Sequence, residues 1–127
     1  MNLDHRIAIY VPSTIKGNQP ATPEMVAKWV RASKIKLASL FGGFTAYAGQ
    51  GGWFSAELGL IEENVTIVQA FTDQEGLAKV QYVRELAQAI ATDMEQEVVS
   101  VEVDGTLNFV APDVITIPQA GQLSEVA

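Results

Sequence analysis

The sequence predicts an α+β fold in which two helices pack against one face of an antiparallel sheet. Three observations predict it: apolar residues alternate in several short stretches, they recur at helical spacing in two longer ones, and the two kinds of stretch are interleaved. The chain has 127 residues, of which 48% are hydrophobic and 18% charged. This length and composition predict a single domain over residues 1–127.

The first part of the chain predicts a strand, a helix and a second strand. Residues 6–12 carry apolar side chains on both faces, which is typical of a central strand. Thr22 is suited to cap a helix that ends at Gly42, because glycine adopts the left-handed conformation without strain. Residues 44–47 predict a short strand, and the glycine-rich residues 49–52 predict a turn or loop.

The second part predicts a strand over residues 63–72, a helix over 73–94 and a strand over 97–103. An Asp-Gly pair then indicates a tight hairpin, so residues 106–110 return as one more strand. The order β-α-β-β-α-β is the ferredoxin-like arrangement, here with a C-terminal hairpin strand. Residues 111–127 predict an extended C-terminal tail.

Two helices cover only one face of such a sheet, whereas the predicted central strands carry apolar residues on both faces. Each medium-sized apolar side chain left in water forgoes about 1.5–3 kcal/mol. We therefore expect a closed homo-oligomer, and specifically a trimer whose three sheets face inward.

The charge distribution limits the partners. The net charge of −7 argues against nucleic acid. Residues 1–36 hold six basic and two acidic side chains, a balance of +4, and the other 91 residues hold two basic and thirteen acidic ones, a balance of −11. The basic part is either a solvated helix face, a local anion site or a surface complementary to another copy.

The remaining composition excludes several protein classes. The chain has no cysteine and one histidine, so it has no zinc ribbon, cysteine nucleophile or disulfide scaffold, and we predict no metal site. No apolar run approaches the roughly 20 residues that cross a bilayer, and the start of the chain lacks a signal-peptide pattern. We expect a cytoplasmic protein without a membrane partner, and no cofactor can be named.

The layout, with an excursion between the second and third strands and a strand after the fourth, resembles the PII-like group of trimeric ferredoxin-like proteins. The resemblance lies in the order and lengths of the elements along nearly the whole chain. It implies a homotrimer that binds a small anionic or nucleotide-like metabolite between subunits. The candidate ligand-binding residues are Tyr10, Lys16, Gly51, Gly52 and Trp53.

A second resemblance, to phage-encoded S-adenosylmethionine (SAM) lyases, rests on short motifs. These are Gly51-Gly52-Trp53, Glu57, Glu62-Glu63 before a strand, and Glu95-Gln96-Glu97 after a helix. The resemblance implies an enzyme with Glu57 and Glu95 as candidate catalytic residues. The face of Trp53 would attract the sulfonium. The substrate's own carboxylate can act as the nucleophile in such a lyase, which leaves the protein to position it and stabilise charge.

Three functions therefore stay open: the metabolite-binding trimer, which we take as the first interpretation, the SAM lyase or hydrolase, and a purely structural assembly unit. Simpler readings of the motifs also stay open. Glu62 and Glu63 can be a polar turn before a strand, Glu95 a solvated helix end, and residues 49–52 a flexible hairpin tip.

Overall fold

A computed structural model describes residues 1–113, in which a sheet of five strands carries two helices. The elements in chain order are β1 (His5–Pro12), β2 (Thr14–Ile15), β3 (Gln19–Pro20), α1 (Pro23–Phe41), β4 (Thr45–Ser55), β5 (Gly59–Thr72), α2 (Val80–Asp93), β6 (Val99–Val103) and β7 (Thr106–Val110). The order of strands in the sheet is β4-β5-β1-β6-β7, and every neighbouring pair is antiparallel. The predicted α+β class is confirmed at this level.

The core lies between the helices and one face of the sheet. Ile7, Ile9 and Val11 of β1 are completely buried, and they pack in one cluster with Leu37 of α1 and Ile90 of α2. Their alternation along β1 places all three on the same face. Burial of such side chains is the main favourable term for folding, at about 1.5–3 kcal/mol each.

The ends of α1 agree with the sequence prediction. The Oγ1 atom of Thr22 accepts a hydrogen bond of 3.1 Å from the backbone N–H of Met25, and Pro23 occupies the first helical position. Gly42 ends the helix with φ of 93°, and its N–H donates to the carbonyl of Ala38 at 2.8 Å. This helix therefore begins and ends at the residues whose local chemistry predicts its two ends.

The hairpin of β4 and β5 differs from the prediction. β4 runs without interruption through the glycines to Ser55, and the chain turns only at residues 56–58. A Cβ atom on Gly52 would lie 2.8 Å from the carbonyl oxygen of Ile61, and one on Gly49 would lie 3.2 Å from Ile67 Cδ1. Glycine is present here because the facing strand approaches closely, which explains why the predicted turn was wrong.

The far part of this hairpin extends beyond the rest of the sheet. β1 pairs with β5 only as far as Pro12, which faces Val65. Residues 50–64, which we name the distal arm, therefore form a ribbon of two strands, beside which residues 1–113 place no third strand. Glu62 and Glu63 belong to the strand part of this arm, so the predicted polar turn at these residues was wrong as well.

The predicted second helix is divided in the structure. A short 3-10 turn, Glu75–Lys79, precedes α2. The Oδ1 atom of Asp73 accepts a hydrogen bond of 3.0 Å from the N–H of Gly76, which closes this turn. The later hairpin is as expected: Asp104 and Gly105 both have positive φ, 51° and 85°, as a two-residue type I′ turn requires.

Two predictions about the ends and surroundings of the chain are not tested. The predicted tail over residues 111–127 lies almost entirely outside the described residues, and the division into one domain stays a prediction. Among residues 1–113, no helix has the length and apolar character needed to cross a membrane. The cytoplasmic location stays a prediction.

We expect Gly76→Ala to lower the free energy of unfolding by about 2–3 kcal/mol, because overpacking forces neighbouring atoms to move. The added Cβ would lie only 1.8 Å from the Oγ1 atom of Thr72, which is itself buried. Denaturant unfolding at one fixed protein concentration measures the change. Gly43→Ala is the control, because no atom lies within 4 Å of its Cβ position. Equal stability of the two variants would contradict the packing described for Gly76.

Candidate functional site

The sheet face opposite the helices, which we name the open face, has a polar centre. Arg6 of β1 forms an ion pair of 2.6 Å with Glu102 of β6, and its Nε donates to Gln69 at 2.8 Å. Arg6 also donates to the hydroxyl of Tyr47 at 2.9 Å. The hydroxyl of Tyr10 donates to Glu102 Oε1, again at 2.9 Å. The expectation of an apolar second face was therefore wrong at the centre of the sheet.

This network accounts for Tyr10 without a ligand. Burial raises the pKa of the Tyr10 hydroxyl, and its hydrogen bond to Glu102 adds to the shift. The hydrogen bond from Arg6 lowers the pKa of the Glu102 carboxyl. Tyr10 thus has a partner within the chain, and its predicted role in ligand binding stays a prediction.

Apolar side chains surround the polar centre. Phe71, Leu107 and Phe109 lie on the open face and are exposed, Phe109 by 66%. Exposed apolar residues at the rim of a sheet are typical of a surface that contacts another protein. The apolar part of the prediction therefore holds at the rim.

A depression of about 80 Å³ lies where the distal arm leaves the sheet. Its lining residues are Gly51, Gly52, Trp53, Ile61, Glu63 and Val65. Trp53 faces Ile61 across the hairpin, Gly51 faces Glu63, and the alternation of the strands places these four residues on the side of the open face. The structure thus brings together three of the predicted ligand-binding residues, Gly51, Gly52 and Trp53, with an acidic residue.

Hydrogen bonds hold the carboxylate of Glu63 in place. Its Oε2 atom accepts from the backbone N–H of Ser13 at 3.2 Å and from the hydroxyl of Thr14 at 2.8 Å. Thr14 is held in turn by Gln96, whose Nε2 donates to the Thr14 carbonyl at 2.7 Å. Both hydrogen bonds that Glu63 accepts from residues 1–113 go to Oε2, and Oε1 has no partner in that part of the chain.

Sequence reasoning named the acidic pair and Gln96 as parts of motifs but gave Glu63, Thr14 and Gln96 no place among the site residues. The hydrogen bonds among these three residues connect the end of β1, the arm and the turn after α2. The sequence pointed to this connection only through the motifs Glu62-Glu63 and Glu95-Gln96-Glu97. The side of the arm toward which each carboxylate points follows from the strand register. Because a turn was predicted at these two residues, no strand register could be assigned to them from the sequence.

The other predicted residues do not line this depression. Lys16 is exposed in the short turn between β2 and β3, and Glu57 is exposed at the tip of the arm. Glu95 follows α2 with φ of 51°, in the left-handed region, and is also exposed. The roles of Lys16, Glu57 and Glu95 therefore stay predictions that require either a ligand or another copy of the chain.

The comparisons with known proteins identify the fold. Neither a protein-family model nor a curated protein matches the sequence. A solved structure of a phage SAM lyase in complex with S-methyl-5′-thioadenosine is similar, with a TM-score of 0.58 and 20% identity over 84% of this chain and 88% of that chain. A phage SAM lyase in the apo state has a TM-score of 0.57 and 20% identity, over 87% and 90%.

These likenesses show that the chain has the fold of the phage SAM lyases. They support the second of the two resemblances derived from the sequence. They give no support to the PII-like resemblance, which stays a prediction together with the trimer and the metabolite it implied.

We expect Glu102→Gln to reduce the loss of stability at acid pH. A carboxyl whose pKa is lowered by folding stabilises the protein above its unfolded pKa of about 4.3, and this stabilisation disappears as the pH falls through the folded value. The direction of the Glu102 shift places it in this class. Unfolding measured from neutral to acid pH should therefore decline less steeply for the variant. The exposed Glu97→Gln serves as the control, and parallel acid limbs for wild type and Glu102→Gln would contradict the expectation.

We expect Glu95→Gly to raise the free energy of unfolding by about 0.5–1 kcal/mol, because glycine adopts a positive φ without the strain of a side chain. Glu95 has such a backbone, and the next residue donates to the carbonyl of Ala91 at 2.9 Å to close the helix end. Thermal or denaturant unfolding measures the gain. The same change at Glu97, whose backbone does not have positive φ, should give no gain. A destabilised Glu95→Gly would show that the carboxylate makes a contact of its own.

Proposed function

We propose that the chain is a lyase that cleaves S-adenosylmethionine, and that it works as a closed ferredoxin-like homotrimer with its sites at the seams between subunits. One observation carries the proposal: Trp53 and the fixed carboxylate of Glu63 line the same depression. The likeness in fold to phage SAM lyases, over most of both chains, supports it.

The chemistry of the substrate fits this pair of side chains. SAM carries a sulfonium, an ammonium and a carboxylate. An aromatic face attracts a sulfonium, and a carboxylate with one unused oxygen can accept from an ammonium. The net charge of −7 also favours the approach of a substrate with net positive charge.

The reaction itself requires little from the protein. The substrate carboxylate forms a C–O bond at the γ-carbon of the methionyl chain as the C–S bond breaks, and the bonding electrons leave with sulfur as the neutral thioether methylthioadenosine. The second product is a lactone that keeps the ammonium. Because sulfonium and carboxylate charges disappear together, a site that positions the chain and excludes water accelerates the step. In this proposal Glu63 accepts a hydrogen bond from the substrate ammonium, whose charge does not change during the reaction.

The size of the depression supports a site shared between copies. About 80 Å³ is far below the roughly 300–1,000 Å³ typical of sites for small molecules. The depression lies on the side of the open face, where the apolar rim of Phe71, Leu107 and Phe109 is exposed. A second copy seated on that rim would deepen the depression and remove apolar surface from water.

The test is chromatography of SAM incubated with the protein, which should yield methylthioadenosine. We expect Glu63→Gln to lower kcat/KM by about 10- to 100-fold, the usual cost of losing a charged hydrogen bond. The matched control is Glu85→Gln, an exposed carboxylate on α2 outside the depression, which should remain within about twofold of wild type. Glu57→Gln tests whether the exposed arm tip contributes.

The absence of product at high protein concentration would overturn the lyase proposal. A thermal shift with an anionic metabolite or nucleotide, but not with SAM, would instead favour the binding protein. A ligand at 100 times its Kd stabilises by about 2.7 kcal/mol, which is easily measured.

A further inference from the structure

We propose that the outer side of the distal arm docks on the basic stripe of helix α1 of a second copy of this chain. The outer side carries Phe54, Leu60 and Glu62, and the basic stripe carries Lys28, Arg31 and Ile35. This deepens the proposed function, since it adds an interface between copies on the side of the arm away from the site.

The outer side of the arm is an apolar surface without a partner in residues 1–113. Phe54 and Leu60 face each other across the hairpin and are 78% and 62% exposed. A ribbon of two strands is marginally stable in water unless something packs against it. Packing of the outer side against another chain would remove Phe54 and Leu60 from water and would stabilise this end of β4 and β5.

The charges of the two surfaces are opposite. Residues 50–64 include three glutamates and no lysine or arginine. The exposed stripe of α1 carries Lys28 and Arg31, and the only ion pair from this stripe within residues 1–113 joins Lys28 to Asp93 at 3.4 Å. Copies that each carry a charge of −7 repel one another, so they associate best where a basic surface of one meets an acidic surface of the other.

The distance between the charged and the apolar group is also similar on the two surfaces. Arg31 and Ile35 are four residues apart on a helix, which separates them by about 6 Å along its axis. Leu60 and Glu62 are two residues apart on a strand, which separates them by about 6.6 Å. Ile35, which is 55% exposed, can therefore contact the pair of Phe54 and Leu60 while Arg31 reaches Glu62.

A second copy fits the stripe better than nucleic acid does. The net charge of the chain is strongly negative, and the stripe has an exposed isoleucine among its cations. The stripe requires a partner surface that is both acidic and apolar, and the outer side of the distal arm of the same chain is such a surface.

The test uses charge reversal in the full chain, with assembly measured by sedimentation and light scattering over a range of concentrations. We expect Arg31→Glu and Glu62→Arg each to weaken association by about tenfold or more, because like charges are then brought together. The double variant should return to within about threefold of wild type, because every copy carries both changes and opposite charges meet again. Phe54→Ser should weaken association whatever the charges are.

The control is Arg84→Glu, which changes the net charge by the same amount as Arg31→Glu but lies on α2. It should leave association unchanged. Circular dichroism of each variant checks that the chain is folded. If the wild type assembles and neither single reversal changes its mass, the docking is overturned. The lyase proposal is tested separately, by the production of methylthioadenosine, and does not depend on that result. A wild type that remains at 13.7 kDa at all concentrations would overturn it as well. Loss of nucleic-acid binding in Arg31→Glu, with no change in mass, would assign the stripe to nucleic acid instead.

Discussion

The rest of the structure depends on one constraint. Helices cover only one face of the sheet, so the side chains of the other face must find partners without them. The helix side is closed by a continuous apolar cluster around β1. On the open face, the ion pair of Arg6 and Glu102 and its hydrogen bonds to Tyr10 and Gln69 occupy the centre. Because each of these polar groups has a partner, the centre of this face needs no helix above it.

This arrangement also determines what kind of contact the open face can make. A face that was apolar throughout would associate with any apolar surface, whereas a satisfied polar centre with an aromatic rim admits partners only in particular orientations. Ion pairs in such positions contribute little net stability, and their best-attested use is to specify one arrangement among several. In the trimer that we propose, the apolar rim of Phe71 and Phe109 would supply the area for contact, and Arg6 and Glu102 would restrict its geometry.

The parts of the fold that could be predicted from sequence are those whose cause is local. Thr22, Gly42 and the Asp104-Gly105 turn each act through their own backbone or an adjacent one, so the pattern alone reveals them. The glycines of β4 could not be assigned in this way, because their reason is the close approach of Ile61 and Ile67 on the facing strand. The polar face of β1 was also missed, since the partner of Arg6 lies on β6.

The same distinction applies to the site. The segment from Gly51 to Trp53 could be named from its glycines and its resemblance to a motif of the SAM lyases. The place of Glu63 depends instead on Thr14, 49 residues earlier, and through it on Gln96, 82 residues after Thr14. Such contacts are set by strand register, and a shift by one residue would turn Glu63 outward and Glu62 inward. The arm consequently has two sides that differ by one residue in register, one directed to the depression and one to the solvent. In the assembly and the lyase that we propose, a contact that holds the outer side would also fix the position of Trp53 and Glu63, so that both would depend on the same short hairpin.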